Sequence, residues 1–154
     1  MPIRKKNIRD IAPFDYSFGD AIGGQMTDVG RNIGSVSIGL NIQTIPSGKF
    51  SSRRHRHLFQ EEILIVMSGS GLLHHGGERL PVEPGDAVCY LAGDLEAHTL
   101  ENTGASPLVI WAFGNRFRHE VCEYPDHDVA FVEGLGAEIS LQHATNDPDS
   151  PCSF

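Results

Sequence analysis

Residues 55–62 read His-Arg-His-Leu-Phe-Gln-Glu-Glu and lead into Ile-Leu-Ile-Val-Met at 63–67. Residues i and i+2 of a β-strand project from the same face, so His55 and His57 can direct two imidazoles into one space. Imidazole is the commonest protein ligand for divalent transition metals, and a nearby carboxylate adds compensating charge. The segment therefore indicates a strand that carries part of a metal site, followed by a second, apolar strand.

His98 is the best candidate for a third imidazole ligand. It follows Gly-Asp-Leu-Glu-Ala at 93–97 and precedes Asn102 by four positions. A lone His-x-His pair occurs by chance on surface strands. Here an acidic residue, a Gly-bounded apolar strand, Pro-Gly-Asp at 84–86 and a later histidine follow the pair in that order. This order of parts favours a metal site over a chance pair.

Short strands are indicated along most of the chain. The sequence contains 17 Gly and 9 Pro spread over its 154 residues, and no long window keeps the 3.6-residue apolar period of a helix. Strands are predicted at residues 36–42, 62–67, 71–75, 79–82, 87–91, 97–101 and 108–113. Strands of four to eight residues at near-regular spacing predict an all-β sandwich or barrel.

The chain length fits one compact domain with extensions at both ends. We expect an N-terminal arm over residues 1–30, a barrel over 31–115 and a C-terminal extension over 116–154. The regular pattern stops after Gly114, and the polar residues 146–154 are expected to be disordered.

Charge and cysteine content limit the partners and the compartment. The chain carries 20 acidic against 12 basic residues, a formal net charge of -8, which disfavours a broad surface for nucleic acid or an anionic membrane. No apolar stretch approaches the ~20 residues that cross a bilayer. The basic N-terminus has no apolar signal-peptide core, and Cys89, Cys122 and Cys152 form no C-x-x-C pair. We therefore expect free thiols and a cytoplasmic protein.

With these observations, residues 48–102 resemble the two sequence motifs of the cupin superfamily, which are small jelly-roll β-barrels. The first motif is Gly, five residues, His-x-His, three or four residues, Glu, six residues and Gly. His55, His57, Glu62 and Gly69 match it, whereas Gly48 lies one residue too far upstream.

The second cupin motif is Gly, five residues, Pro-x-Gly, two residues, His, three residues and Asn. Gly85, Gly93, His98 and Asn102 match in order. Leu91 stands where proline is usual, and four residues rather than two separate Gly93 from His98. This departure predicts a longer loop before the third histidine.

The resemblance implies a single-domain jelly-roll cupin and a set of metal ligands: His55, His57, Glu62 and His98. Glu62 is preferred over Glu61 because six residues separate it from Gly69. Three imidazoles and one carboxylate suit one divalent transition ion per chain, whether Zn, Mn, Fe, Co or Ni, and leave positions open for a ligand. Gly-Asn-Arg at 114–116 and Glu-Tyr-Pro-Asp at 123–126 further resemble small cupins labelled sugar-phosphate isomerases.

Four other residues are candidates for the site. Arg53 has the strand parity of His55 and could bind an anionic substrate, or could be a surface residue at a strand edge. Trp111 lies on a predicted strand and could line the pocket, although aromatic residues there are usually core. Glu61 and Tyr90 are nominated as catalytic acid or base groups.

The functional hypothesis is a metal-dependent enzyme acting on a sugar, sugar phosphate or hydroxy/keto acid, with isomerase- or lyase-type chemistry. One alternative is a non-enzymatic binding module or sensor with the same barrel, and another is an Fe-dependent dioxygenase. The expected partners are a small-molecule ligand and, by resemblance to small cupins, a second copy of the chain paired through edge strands.

Overall fold

Antiparallel β-strands account for nearly all regular structure in the computed structural model, which describes residues 3–142. The strands are β1 (Phe14–Phe18), β2 (Ile22–Asp28), β3 (Ile38–Ile45), β4 (Arg56–His57), β5 (Glu62–Ser68), β6 (Gly71–His75), β7 (Glu78–Val82), β8 (Ala87–Tyr90), β9 (His98–Glu101), β10 (Leu108–Asn115), β11 (Val121–Tyr124), β12 (Val129–Val132) and β13 (Ala137–Ser140). The helical segments are α1 (Val29–Asn32) and two 3-10 turns, Ile8–Asp10 and Pro125–His127. The predicted all-β class is confirmed.

Three hydrogen-bonded sheets build the walls of the barrel. The largest has the order β1-β2-β3-β10-β5-β8, and two smaller ones have the orders β13-β12-β11-β4 and β7-β6-β9. A β-bridge between His55 and His98 joins the two smaller sheets into one opposing wall. Between the walls lies the apolar core, formed by Ile45, Leu64, Val66, Leu73, Val82, Tyr90, Leu100, Leu108, Ile110 and Ala112.

All seven strands predicted from the sequence occur, with shifts of a few residues at their ends. The pattern missed the strands on either side of them. β2 contains Gly23 and Gly24, and glycine is depleted in strands. A Cβ at Gly24 would clash with the carbonyl oxygen of Thr44 on β3, so glycine permits this pairing. The four residues of β13 are all exposed, so that strand has no apolar alternation to detect.

The missed strands extend the barrel at both ends of the chain. β1 and β2 join the large sheet, and β11 to β13 form most of the four-stranded sheet. The proposed boundaries at residues 30 and 115 remain predictions. Residues 143–154, including His143, Cys152 and the tail expected to be disordered, lie outside the described residues.

The predicted alternation in β3 is present, and its polar face is the inner one. Asn41 and Gln43 line the interior cavity. Ile42 lies opposite Trp111 of β10, which in turn lies opposite Ile65 of β5, so these three apolar side chains share the outer face. The interior is therefore polar along part of the large sheet. None of the helices formed by residues 3–142 has the length and hydrophobicity of a membrane-spanning segment.

Candidate metal centre

The four residues expected to bind metal lie together inside the barrel. His55, His57, Glu62 and His98 each offer a donor atom, and these atoms all lie within 4.8 Å of one another. The imidazole centroids of His55 and His98 are 4.5 Å apart, and those of His55 and His57 are 5.0 Å apart. The predicted grouping is present.

Backbone pairing brings the four residues together. The amide of His55 donates to the carbonyl of His98 at 3.0 Å, and the amide of His98 donates back at 2.8 Å. His57 lies in β4 opposite Cys122 of β11, and Glu62 begins β5 opposite Tyr90 of β8. The ligands therefore come from three strands and one bridge residue.

The donor set fits a divalent transition ion. Nδ1 of His57 lies 3.2 Å from Oε1 of Glu120, and Nδ1 of His55 lies 2.9 Å from the carbonyl oxygen of Arg53. These contacts leave both Nε2 atoms for a metal. Nε2 of His57 is buried and has no hydrogen-bond partner among the described residues, which costs about 1–3 kcal/mol unless an ion occupies the space. Metal–nitrogen bonds of about 2.0–2.1 Å are compatible with this spread of donors.

The protonation states of the cluster favour metal binding. Burial, with the neighbouring His98 imidazole, lowers the pKa of His55 to about 3, so its ring is neutral at physiological pH. Burial opposes ionisation of Glu62, but the hydrogen bond with His98 and the nearby imidazoles lower its pKa below the ordinary value. Nε2 of His98 lies 3.2 Å from Oε2 of Glu62. A neutral imidazole beside a carboxylate is the state that binds metal.

A cavity of about 480 Å³ adjoins the cluster. Its lining includes all four candidate ligands, Arg53 and the residues Tyr16, Phe18, Asn41, Gln43, Gln60, Glu120, Cys122, Tyr124 and Glu133. Arg53 is the one Lys or Arg side chain among the described lining residues. Of the nominated site residues, the structure thus brings Arg53 to the same cavity as the metal ligands.

The other three nominated residues lie elsewhere. Tyr90 is buried and does not line the cavity; its ring stacks on His98 with centroids 3.6 Å apart and 5° between the planes. Burial raises the pKa of its hydroxyl, which disfavours a role as a base. The stacked ring instead supports the orientation of His98. Glu61 is exposed and its carboxylate contacts Sγ of Cys89 at 3.9 Å. Trp111 lies on the outer face, opposite Ile65.

Glu120 is a site residue that the sequence analysis missed. Its side chain is 7% exposed, and Oε2 accepts a hydrogen bond from the amide of Phe59 at 3.2 Å while Oε1 contacts His57. The carboxylate therefore fixes both the ring of His57 and the segment after it. Glu120 is 63 residues from His57 in the chain and lies in a segment without strand periodicity, so no local signal indicates it.

Comparisons with known proteins agree with this geometry. Residues 41–113 match the family model for the cupin domain. A solved sugar phosphate isomerase of the cupin superfamily from Silicibacter pomeroyi DSS-3 is 26% identical, with a TM-score of 0.75 over 82% of this chain and 84% of that one. A structure from Acidithiobacillus ferrooxidans, provisionally named a sugar phosphate isomerase, is 28% identical, with a TM-score of 0.71 over 76% of this chain and 74% of that one.

A curated relative carries a different name. The oxalate-binding protein of Thermotoga maritima is 37% identical over 54 residues, which make up 35% of this chain and 43% of the relative. The matching region thus spans less than half of that protein. The cupin resemblance and the likeness to sugar phosphate isomerases are confirmed, and the names of these relatives indicate two kinds of small ligand.

Replacing His57 tests the position of the centre. We expect wild-type protein purified without chelators to carry close to one divalent transition ion per chain, and His57→Ala to carry far less, because one imidazole is lost from the cluster. The control is His75→Ala, since His75 pairs with Asp94 at 3.2 Å outside the cluster. Elemental analysis gives the occupancy. Equal loading of His57→Ala and wild type would place the site elsewhere.

Glu120→Gln tests the support of His57. The neutral amide keeps the size of the side chain but no longer offers two carboxylate oxygens to His57 and Phe59, so we expect metal affinity to fall roughly 10- to 100-fold. Competition against a fluorescent chelator measures this change. The matched control is Glu133→Gln, because Glu133 lines the same cavity without a hydrogen bond to the four ligands among the described contacts. An unchanged affinity for Glu120→Gln would contradict the assigned role.

Proposed function

We propose that the cupin domain of this chain, residues 41–113, holds one divalent transition ion and uses it to act on a small, oxygen-rich, anionic metabolite. The observation that carries the proposal is the convergence of His55, His57, Glu62 and His98 on the wall of a cavity that also contains Arg53. A cavity of about 480 Å³ is in the usual range for small-molecule sites.

The lining of the cavity supports a hydroxylated anion as the ligand. The amides of Asn41, Gln43 and Gln60 offer both donors and acceptors, which suit hydroxyl and carbonyl groups. Arg53 supplies a guanidinium, which pairs with carboxylate or phosphate. Sugar phosphates and hydroxy or keto acids combine these features in one molecule.

Isomerase- or lyase-type chemistry requires a proton acceptor beside the ligand. A bound divalent ion supplies polarisation of the ligand's carbonyl or hydroxyl oxygens. The described lining contains three carboxylates. Glu62 belongs to the metal cluster and Glu120 contacts His57, whereas Glu133 has neither role. The amide of Glu133 donates to the carbonyl of Glu120 at 2.9 Å, which anchors its backbone at the cavity. We assign proton transfer to Glu133.

Non-enzymatic binding is the second candidate. The name of the Thermotoga relative and the position of Glu61 and Tyr90 outside the cavity both favour it. In that case the same cluster and Arg53 would bind a small chelating anion without turnover. For either function we propose a cytoplasmic location.

Incubation in D₂O distinguishes the candidates. We expect metal-loaded protein to exchange deuterium into, or convert, at least one member of a panel of aldose and ketose phosphates, hydroxy acids and keto acids, followed by ¹H NMR. Glu133→Gln should bind that compound in calorimetry but lose turnover, whereas Glu61→Gln, the matched outer carboxylate, should keep both.

Other outcomes have distinct meanings. Tight binding of oxalate or a panel compound without conversion would favour the binding module, and oxygen uptake by Fe(II)-loaded protein would favour the dioxygenase. If metal-loaded protein neither binds nor converts any of these compounds, the proposed function is wrong.

We further propose that the protein is a homodimer joined through the outer face of the large sheet. An antiparallel sheet with one face in water normally presents polar side chains there. The outer faces of β3, β5 and β10 instead carry Leu40, Ile42, Ile63, Ile65, Met67, Val109, Trp111 and Phe113. Ile63 is 38% exposed and Met67 is 45% exposed. A continuous apolar face of this kind is typical of an interface, and a second copy offers a matching surface.

A charge on this face should dissociate the dimer. We expect Ile63→Asp to shift the protein from dimer to monomer in sedimentation equilibrium at micromolar concentration, because dimerisation would bury the new carboxylate. Leu95→Asp is the control, since Leu95 is 76% exposed in the loop before β9. A monomeric wild type would overturn the proposal.

A further inference from the structure

Arg53 lies in an aromatic clamp at the edge of the cavity. Its guanidinium carbon is 3.6 Å from the ring centroid of Tyr124 and 4.6 Å from that of Phe18. The side chain is only 11% exposed. The Tyr124 ring is also 6.0 Å from the ring of His55, so the clamp borders the metal cluster. A cation held this way is fixed in position and faces ligands that reach beyond the metal.

A carboxylate of the same chain already pairs with the guanidinium of Arg53. Glu138 of β13 accepts a hydrogen bond from Nη2 of Arg53 and forms an ion pair with it. The hydrogen bond lowers the pKa of Glu138, so the group is a carboxylate at neutral pH. The side chain of Glu138 is 43% exposed, in contrast to the largely buried Arg53. The pair thus joins a fixed cation to an accessible anion.

The strand that carries Glu138 is weakly anchored. Among the strands of residues 3–142, β13 is the edge of its sheet and pairs with β12 alone. All four of its residues are exposed, so it contributes no buried apolar side chain to the core. Elements with few buried contacts open at low free-energy cost. Loss of the ion pair would therefore leave β13 held mainly by its ladder to β12.

We propose that Glu138 is a built-in counter-ion that occupies Arg53 in the free protein, and that the distal carboxylate or phosphate of a metal-bound ligand replaces it. This inference rests on the proposed function, because it requires a ligand that chelates at the metal cluster. The ring of Tyr124 lies between Arg53 and the metal cluster, with its centroid 3.6 Å from the guanidinium carbon of Arg53 and 6.0 Å from the ring centroid of His55, so a ligand at the metal cluster would reach Arg53 with a group beyond its chelating oxygens. Displacement of Glu138 removes the ion pair that anchors β13 and leaves the strand held mainly by its ladder to β12.

The charges of the cavity explain why such a counter-ion matters. Glu62, Glu120 and Glu133 also line the cavity, while Arg53 is the only Lys or Arg in its described lining. Without Glu138, a buried guanidinium would attract any small anion. When Glu138 is paired with Arg53, an incoming anion must first displace Glu138. The apparent affinity for that anion is then the intrinsic affinity multiplied by the fraction of protein in which Arg53 is free. Ligands that also bind the metal can overcome this competition.

A matched pair of ligands and variants tests the proposal. The probes are 3-phosphoglycerate and glycerate, which share the chelating α-hydroxy acid and differ only in the distal phosphate; malate carries a distal carboxylate. Calorimetry on the metal-loaded full chain should show Glu138→Gln binding 3-phosphoglycerate or malate roughly three- to tenfold tighter than wild type. Glycerate affinity should stay unchanged.

The control variant is Asp126→Asn. Asp126 forms an ion pair with the neighbouring Arg54 at 2.6 Å, and Arg54 does not line the cavity. This variant removes the same charge nearby and should leave all three affinities as in wild type. Arg53→Gln should weaken binding of the distal anions, and adding Glu138→Gln to it should give no gain.

Hydrogen exchange provides an independent readout. Saturating 3-phosphoglycerate should speed amide exchange in residues 137–140 of wild type, and in Glu138→Gln exchange should be fast without ligand. If Arg53→Gln weakens binding but Glu138→Gln changes neither affinity nor exchange, the counter-ion role is wrong and the proposed function stands. If none of the probes binds any variant, the proposed function itself fails for this ligand class.

Discussion

The pair of backbone hydrogen bonds between His55 and His98 is the contact on which the site depends. It joins the two smaller sheets into one wall and sets two imidazoles opposite each other. Backbone amides and carbonyls in the interior need hydrogen-bond partners. The bridge provides partners for those of His55 and His98, and it also positions the two imidazoles. The spacing of His57 from His55 and the start of β5 at Glu62 then determine where the other two donors lie.

The cluster is unfavourable for the protein when no ion is bound. Neutral His55, the carboxylate of Glu62 and Nε2 of His57, which has no hydrogen-bond partner within residues 3–142, occupy a region that apolar side chains could fill. The stacked ring of Tyr90 and the carboxylate of Glu120 hold the arrangement in place. A bound ion would stabilise the folded state through mass action, since the unfolded chain has no such assembled site.

The sequence alone predicts the candidate metal ligands because short spacings along the chain identify them. The interval between His55 and His57 follows strand parity, and the cupin spacing to Gly69 selects Glu62 over Glu61. Seven strands follow from alternation and turn residues. The remaining wall of the cavity could not be predicted, because Glu120 and Tyr124 reach the site through pairing between distant strands. Trp111 illustrates the same limit: its strand was predicted, but its face depends on the register with β3 and β5.

The aromatic clamp has a consequence for how the protein can change over evolutionary time. Phe18, Tyr124 and Glu138 all lie outside residues 41–113, the segment that matches the cupin family and contains the four metal donors. Substitutions at these three positions can therefore change the contacts of Arg53 while leaving the four candidate donors in place. Arg53 itself lies within residues 41–113, whereas the groups that hold it lie outside that segment. The surroundings of the one cation in the described cavity lining can therefore vary in sequence independently of the four candidate donors.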